Sequence, residues 1–179
     1  LLETNRAPTR EDMRELDRQT RVFGVAGNPV GHSLSPAMHN PSLAEAGLNA
    51  VYIPFHLEEF PELEGCWEAL NLDGLSVTIP FKADALEMAG EVSDEAASAG
   101  AVNTLVRREG GLLLGLNTDF DGVLGPLGDR LGSLEGLEVA VIGNGGAARG
   151  AVQALLNAGA CPTIYCRNIQ KGGAVAEEL

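Results

Sequence analysis

The sequence predicts an α/β protein built as two units, an N-terminal α/β domain followed by a truncated Rossmann-type dinucleotide-binding domain. Three observations carry this. Short apolar runs alternate with helix-length amphipathic stretches along most of the chain. The apolar run at 138–142 leads into G-N-G-G-A-A-R at 143–149 and then into a helical pattern. A further strand pattern at 163–166 follows that helix, which completes a βαβ unit and implies a parallel sheet.

Composition sets the outer limits. The chain has 179 residues, room for one large or two small domains. Hydrophobic residues make up 45% and charged residues 21%, a balance that suits a folded rather than a disordered chain. The formal net charge of −13 argues against a nucleic-acid-binding surface, although an acidic protein can still hold a locally positive pocket. No apolar run approaches the roughly 18 residues of a membrane span. No signal-peptide pattern opens the chain, so a cytoplasmic protein without membrane partners is expected. The 3 cysteines, Cys66, Cys161 and Cys166, are an odd number without C-x-x-C spacing and read as reduced, mostly packed thiols. The chain opens on Leu1 and stops at Leu179 inside a helical pattern, which suggests a piece of a longer protein.

Residues 1–20 are polar and mixed in charge. A helix is expected over 9–19, with Thr9 as N-cap and Glu11 and Asp12 in the first turn. A strand is predicted at 22–26, a helix at 36–46 and a strand at 51–55. A helical region at 57–70 should be disturbed by Pro61. The next strand is expected at 75–79, then short helices at 81–89 and 93–99. Strands at 102–107 and 112–116 flank Glu109-Gly110-Gly111, a hairpin signal. A helix over 119–131 should be kinked at Gly125-Pro126.

Gly143, Gly145 and Ala148 fit G-x-G-x-x-A between a strand and a helix. Small residues there permit a tight turn and close approach of backbone to a pyrophosphate, which the helix N-terminus then faces. Asn144, Gly146 and Ala147 complete the same cofactor-binding turn. The second strand ends in Tyr165-Cys166-Arg167-Asn168, with Lys171 one turn later. An NAD site normally has an acidic residue at this tip, to hold ribose hydroxyls. Here Arg167 and Lys171 suit the 2′-phosphate of NADP, with Asn168 beside them.

Elsewhere, G-L-S-V-T-I-P-F-K at 74–82 delivers Lys82 just past the end of a strand, where open α/β sheets place ligand-binding groups. Ser33 and Ser35 flank the start of a helix, with Ser35 a natural N-cap and Pro36 a natural first residue. Two hydroxyls at a helix N-terminus can hold a carboxylate. Thr78, Asn103 and Asp119 offer a hydroxyl, an amide and a carboxylate, a set suited to a polyhydroxylated ring. Taken singly, each has a plainer reading: a helix cap, a strand former, a turn residue. His32, His39 and Trp67 read as loop, helix and packing residues.

G-H-S-L-S-P at 31–36, the lysine strand at 74–82, G-A-V-N-T at 100–104 and N-T-D-F-D-G at 117–122, ahead of the glycine turn, together resemble the shikimate dehydrogenase family. The likeness runs from about Val22 to the end. It implies a shikimate-binding substrate domain over 21–118 and an NADP-binding Rossmann domain over 119–179. It implies NADPH-dependent reduction of 3-dehydroshikimate to shikimate, within aromatic amino acid biosynthesis. Lys82 and Asp119 would be the catalytic pair, with Lys82 either donating the proton or relaying it. Ser33, Ser35, Thr78, Lys82, Asn103 and Asp119 would contact the substrate, and no metal is required. The family often has asparagine where Ser76 stands, and Asn-Arg-Thr where this chain has Cys166-Arg167-Asn168. Residues 1–20 resemble the junction of proteins fused to an upstream 3-dehydroquinate dehydratase, so they are expected to be a linker or the tail of an upstream domain. The chain alone would then be inactive or nearly so. The competing readings are a quinate/shikimate dehydrogenase with relaxed cofactor use, and a noncatalytic metabolite- or dinucleotide-binding module.

Overall fold

The computed structural model describes residues 16–178. The helix expected over 9–19 lies mostly outside them. Within them, 16–19 is not helical: Asp17 and Thr20 form a turn in which the Asp17 N–H donates to Thr20 Oγ1 at 2.9 Å. These short polar side chains compete for the backbone groups a helix would use.

The first sheet has six strands in the order β2-β1-β3-β5-β6-β4. They are β1 (Arg21–Gly27), β2 (Ala50–His56), β3 (Leu72–Val77), β4 (Glu91–Val92), β5 (Thr104–Arg107) and β6 (Leu113–Leu116). β1 runs parallel to both β2 and β3, so it is covered on both edges. Its apolar run V-F-G-V-A reflects that position. β5 is antiparallel to β3 and to β6, closing the expected hairpin, and β4 adds a short parallel edge beside β6. Two residues of strand, as in β4, are too few to leave a periodic signal.

Four helices belong to this sheet: α1 (Ser35–Glu45), α2 (Glu62–Ala69), α3 (Lys82–Met88) and α4 (Asp94–Ala99). α2 starts after Pro61 rather than being broken by it, because proline's fixed φ and missing N–H suit a helix start. The preceding stretch belongs to the sheet edge, where the buried Leu57 donates its N–H to Gly27 O. β3 lies earlier than expected and ends at Val77; Thr78 to Phe81 then form a turn, with the Phe81 N–H on Thr78 O at 3.0 Å. That turn makes Lys82 the first residue of α3. On one flank the core gathers Leu63, Trp67, Leu72, Leu75, Val77 and Leu105. A smaller cluster of Val25, Val30 and Tyr52 packs with Leu43 of α1.

α5 (Asp119–Leu131) runs as one helix through Pro126. It leads to a second, two-stranded parallel sheet of β7 (Glu138–Ile142) and β8 (Cys161–Tyr165). α6 (Gly146–Asn157) connects them and α7 (Ile169–Glu178) follows, giving the βαβα order expected. Val123, Leu124 and Leu127 of α5 pack with Leu155 of α6 and Val139 and Val141 of β7. Among the described residues no helix is long and apolar enough to cross a membrane.

Candidate active site

In the first sheet β1 and β3 are parallel neighbours, while the chain leaves β1 toward β2 on its other side. The crevice beyond their C-terminal ends is therefore a topological switch point, the usual ligand position in open α/β sheets. A cavity of about 410 Å³ lies there. Asn28 and Val30 after β1, Ser76 and Thr78 at the end of β3, Lys82, Asn103 and Asp119 all line it. Ser33, Ser35 and His32 line the same cavity. All six residues proposed from sequence for substrate contact thus meet in one place.

Backbone pairing explains the meeting. The Asn103 carbonyl accepts from the Val77 N–H at 2.7 Å, and its own N–H donates to Leu116 O at 3.0 Å. Asn103 is thereby pinned between the ends of β3 and β6. α4, capped at its start by Ser93, stops at Gly100, whose φ of +60° is the left-handed conformation that glycine tolerates best. That stop turns the chain so that Val102 enters the core and Asn103 reaches the cavity wall.

Lys82 and Asp119 are paired, Nζ to Oδ2, at 2.6 Å. The other carboxylate oxygen accepts from Asn103 Nδ2 at 2.8 Å. Asn103 is buried, and its Oδ1 accepts from the Thr118 N–H at 3.0 Å and from the Thr104 hydroxyl at 2.9 Å. The carboxylate is therefore held from two sides, while the pair keeps one open flank, with side chains 30% and 43% exposed. A half-open ion pair of this kind contributes little to stability, and it sets an ammonium and a carboxylate at the cavity wall, where a ligand can meet both.

Ser33 and Ser35 adjoin each other: Ser33 Oγ donates to Ser35 Oγ at 3.1 Å and accepts from the Ser35 N–H at 3.2 Å. Leu34, not Ser35, is the N-cap of α1, and Ser35 is the helix's first residue. Because Ser35 already lies inside the helix, its side chain does not take the capping role expected of it.

The site also contains residues that sequence reasoning missed. Asn117 is buried; its Nδ2 donates to Ala101 O at 3.0 Å and its Oδ1 accepts from the Asp119 N–H at 3.0 Å. An asparagine two residues before a helix start is a recognisable turn signal, so this clamp was findable. Tyr52 donates its hydroxyl to Ser76 Oγ at 2.8 Å, across the sheet, with no local sequence signal to announce it. His39 stacks on Tyr52 at 4.3 Å, and Trp67 is a core residue 1% exposed.

The glycine turn follows β7 in the second unit. Gly143 has φ of +120°, and its N–H donates to Tyr165 O at 2.8 Å. A Cβ at Gly143 would meet the Ala148 methyl at 3.8 Å, which is ordinary contact, so the backbone angle rather than crowding requires glycine. α6 begins at Gly146 with Gly145 as N-cap, and Ala147 and Ala148 occupy its first turn. A second cavity, of about 730 Å³, is lined by Gly143, Asn144, Arg167, Asn168 and Lys171 among others. Among the described residues its lining carries these two cations and no carboxylate. Asn168 Oδ1 accepts from the Lys171 N–H at 3.0 Å, which starts α7 and sets Lys171 one turn from Arg167. The donor set fits a dinucleotide bearing an extra phosphate. Among the described residues no group of three or more His, Cys, Asp or Glu side chains could hold a metal ion, and all three cysteines are free.

The architecture is that of a substrate-binding α/β domain followed by a Rossmann-type unit. Residues 25–105 match the family model for the shikimate dehydrogenase substrate binding domain. The chain is 43% identical over 171 residues to shikimate dehydrogenase (NADP(+)) from Thermosynechococcus vestitus, covering 93% of this chain and 57% of that protein. The crystal structure of shikimate dehydrogenase from Aquifex aeolicus superposes with a TM-score of 0.84 at 36% identity, over 92% of this chain and 62% of that one. Shikimate 5-dehydrogenase from Thermus thermophilus, solved in complex with NADP(H) and shikimate, gives 0.75 at 38% identity over 88% and 60% of the two chains. Residues 25–105 thus carry a shikimate dehydrogenase substrate binding domain, and about nine-tenths of the chain is similar to shikimate dehydrogenases. The chain spans somewhat over half the length of the curated relatives it matches.

Proposed function

We propose that this chain carries the substrate site and the start of the NADP site of a shikimate dehydrogenase, which reduces 3-dehydroshikimate to shikimate in aromatic amino acid biosynthesis. The observation that carries the reading is the Lys82–Asp119 pair, braced by Asn103, in one cavity with Ser33, Ser35 and Thr78. In this reading residues 21–118 are the substrate domain and 119–179 belong to the NADP-binding domain.

Ser33 and Ser35 hold the substrate carboxylate by hydroxyl donation, without an arginine. Thr78 and Asn103 meet ring hydroxyls. Lys82 faces the ketone oxygen, where negative charge develops during reduction, and donates or relays the proton that oxygen takes up. Asp119 orients the ammonium and accepts from the same region of the substrate. Gly143, Asn144, Gly145 and Gly146 with Ala147 and Ala148 form the pyrophosphate turn, and Arg167, Asn168 and Lys171 read the 2′-phosphate. When bound, the reduced cofactor supplies the hydride.

The test is an assay of the naturally encoded protein with shikimate and NADP, following NADPH absorbance, with quinate and NAD as controls. Shikimate-dependent NADPH formation supports the reading. Equal turnover of quinate, or of NAD, replaces it with a relaxed quinate/shikimate enzyme, and ligand binding without turnover replaces it with a binding module.

A further inference from the structure

Tyr52 is a buried residue with a polar hydroxyl that the proposed reaction does not use. Its backbone is gripped by α1: Asn40 Nδ2 donates to Tyr52 O at 2.8 Å, and the Tyr52 N–H donates to Asn40 Oδ1 at 2.9 Å. β2 is an edge strand, so this asparagine takes the place of a missing strand neighbour. The His39 ring stacks on the phenol ring at 4.3 Å and 25°, and Tyr52 is 6% exposed. The ring therefore has a single position.

From there the phenol reaches over β1, past Val25, to β3. Two strand spacings amount to about 9.6 Å, which the tyrosine and serine side chains bridge between them. The Tyr52 hydroxyl donates to Ser76 Oγ at 2.8 Å. Burial pushes the Tyr52 phenol above its usual value, with hydrogen bonding to Ser76 and Ser35 acting the other way, so the phenol keeps its proton and remains a donor.

A serine hydroxyl has one proton and two lone pairs. With one lone pair of Ser76 taken by Tyr52, a proton and a second lone pair remain, and toward an anion the proton is the one that bonds favourably. Ser76 lines the cavity together with Ser33 and Ser35, and it shares a face of its chain with Thr78, two residues on. We infer that Tyr52 is a positioning residue that turns Ser76 into a third hydroxyl donor to the carboxylate of the bound acid, beside Ser33 and Ser35. Linked hydroxyls polarise one another, which favours an anionic acceptor over a neutral one.

This inference rests on the shikimate reading, and its test separates the two. Shikimate and its uncharged methyl ester are titrated calorimetrically into the wild-type protein, Tyr52→Phe, Ser76→Ala and the double variant. Tyr52→Phe keeps the stacked ring and removes only the hydroxyl; Ser76→Ala reaches the same link from the cavity wall, should the first variant fold poorly. Each single change is expected to raise the shikimate Kd about ten- to 150-fold, the scale of a hydrogen bond to a charged group. The double variant should lose less than the sum of the two single changes, because part of the phenol's link to the carboxylate runs through Ser76, beside its hydrogen bond to Ser35. Binding of the ester should change much less. Unchanged shikimate affinity in both single variants, additive losses in the double variant, or equal losses for acid and ester would overturn the inference while leaving the shikimate reading standing. Failure of the wild-type protein to bind shikimate would overturn both.

Discussion

Lys82 Nζ and Asp119 Oδ2 lie 2.6 Å apart, although 37 positions separate them in the chain. One opens α3 and the other opens α5, and Asn103 ties their loops together through side chain and backbone. If this unit is the proton-handling centre, Lys82→Ala should lower kcat by about 100-fold or more, the scale of a lost positioned acid. Shikimate KM should change far less. Asp119→Asn should lower kcat as well, and the double variant should be little worse than Lys82→Ala, since the two act as one unit. Steady-state kinetics on the naturally encoded enzyme decide this; near-normal turnover in Lys82→Ala removes the assignment.

Much of this pair was legible beforehand, and for a physical reason. Lys82 follows an apolar strand and a proline, and Asp119 begins a helix after N-T, so each residue's local pattern places it at the mouth of a sheet. Family likeness then supplied the pairing, which no local pattern contains. The misplaced bounds of β3 arose because Leu72 and Gly74 pair with β1 at positions where sequence alternation is interrupted by Asp73. β4 is invisible because its two residues gain their identity only from β6. Tyr52 reads as an ordinary strand aromatic until three strands are assembled side by side.

Asn103 illustrates a residue whose proposed binding role overlaps a structural one. Its side-chain oxygen serves the Thr118 N–H and the Thr104 hydroxyl, and it is buried. Asn103→Ala should cost about 1–3 kcal/mol of unfolding free energy, because buried donors lose their acceptor. Denaturant titration measures it. A loss of affinity with stability unchanged would mean that water takes over the oxygen's role.

Thr78 owes its place to Gly27. A Cβ on Gly27 would stand 2.4 Å from Thr78 Cγ2 and 3.1 Å from Ile79 O. Gly27→Ala should therefore turn the threonine side chain away, at about 1–3 kcal/mol for the overpacking. Shikimate affinity should fall with it, as the Thr78 hydroxyl leaves the cavity wall. Tm and calorimetric Kd together test this; intact affinity in a destabilised variant would show that Thr78 does not hold the ligand.

Arg167 and Lys171 face a cavity without a lining carboxylate among the described residues. Arg167→Ala is expected to weaken NADP binding by about 1.5–3 kcal/mol, the range for hydrogen bonds to charged groups, and to leave NAD binding nearly unchanged. Fluorescence titration with both cofactors measures the difference. Equal losses for the two would mean that Arg167 touches a part they share.

Tyr52 also makes a prediction about alkaline stability. Burial, opposed by hydrogen bonds to Ser76 and Ser35, holds its phenol above the ordinary value of 10.0. In the unfolded chain the phenol ionises at about that ordinary value. As pH rises past it, the unfolded state has lost a proton that the folded state still carries. The folded state then binds more protons, so unfolding free energy falls with rising pH until the folded phenol also ionises. Below the ordinary value both states are protonated and the residue contributes no slope. Tyr52→Phe removes this titration and keeps the stacked ring. The unfolding free energy of the wild-type protein minus that of Tyr52→Phe should therefore be flat through neutral pH and decline once pH passes 10.0. Urea denaturation of both proteins over that span gives the difference directly, and the other titrating groups cancel in the subtraction. Parallel curves above that pH would mean that the phenol ionises as easily in the folded protein as in the unfolded one, and that burial does not hold its proton.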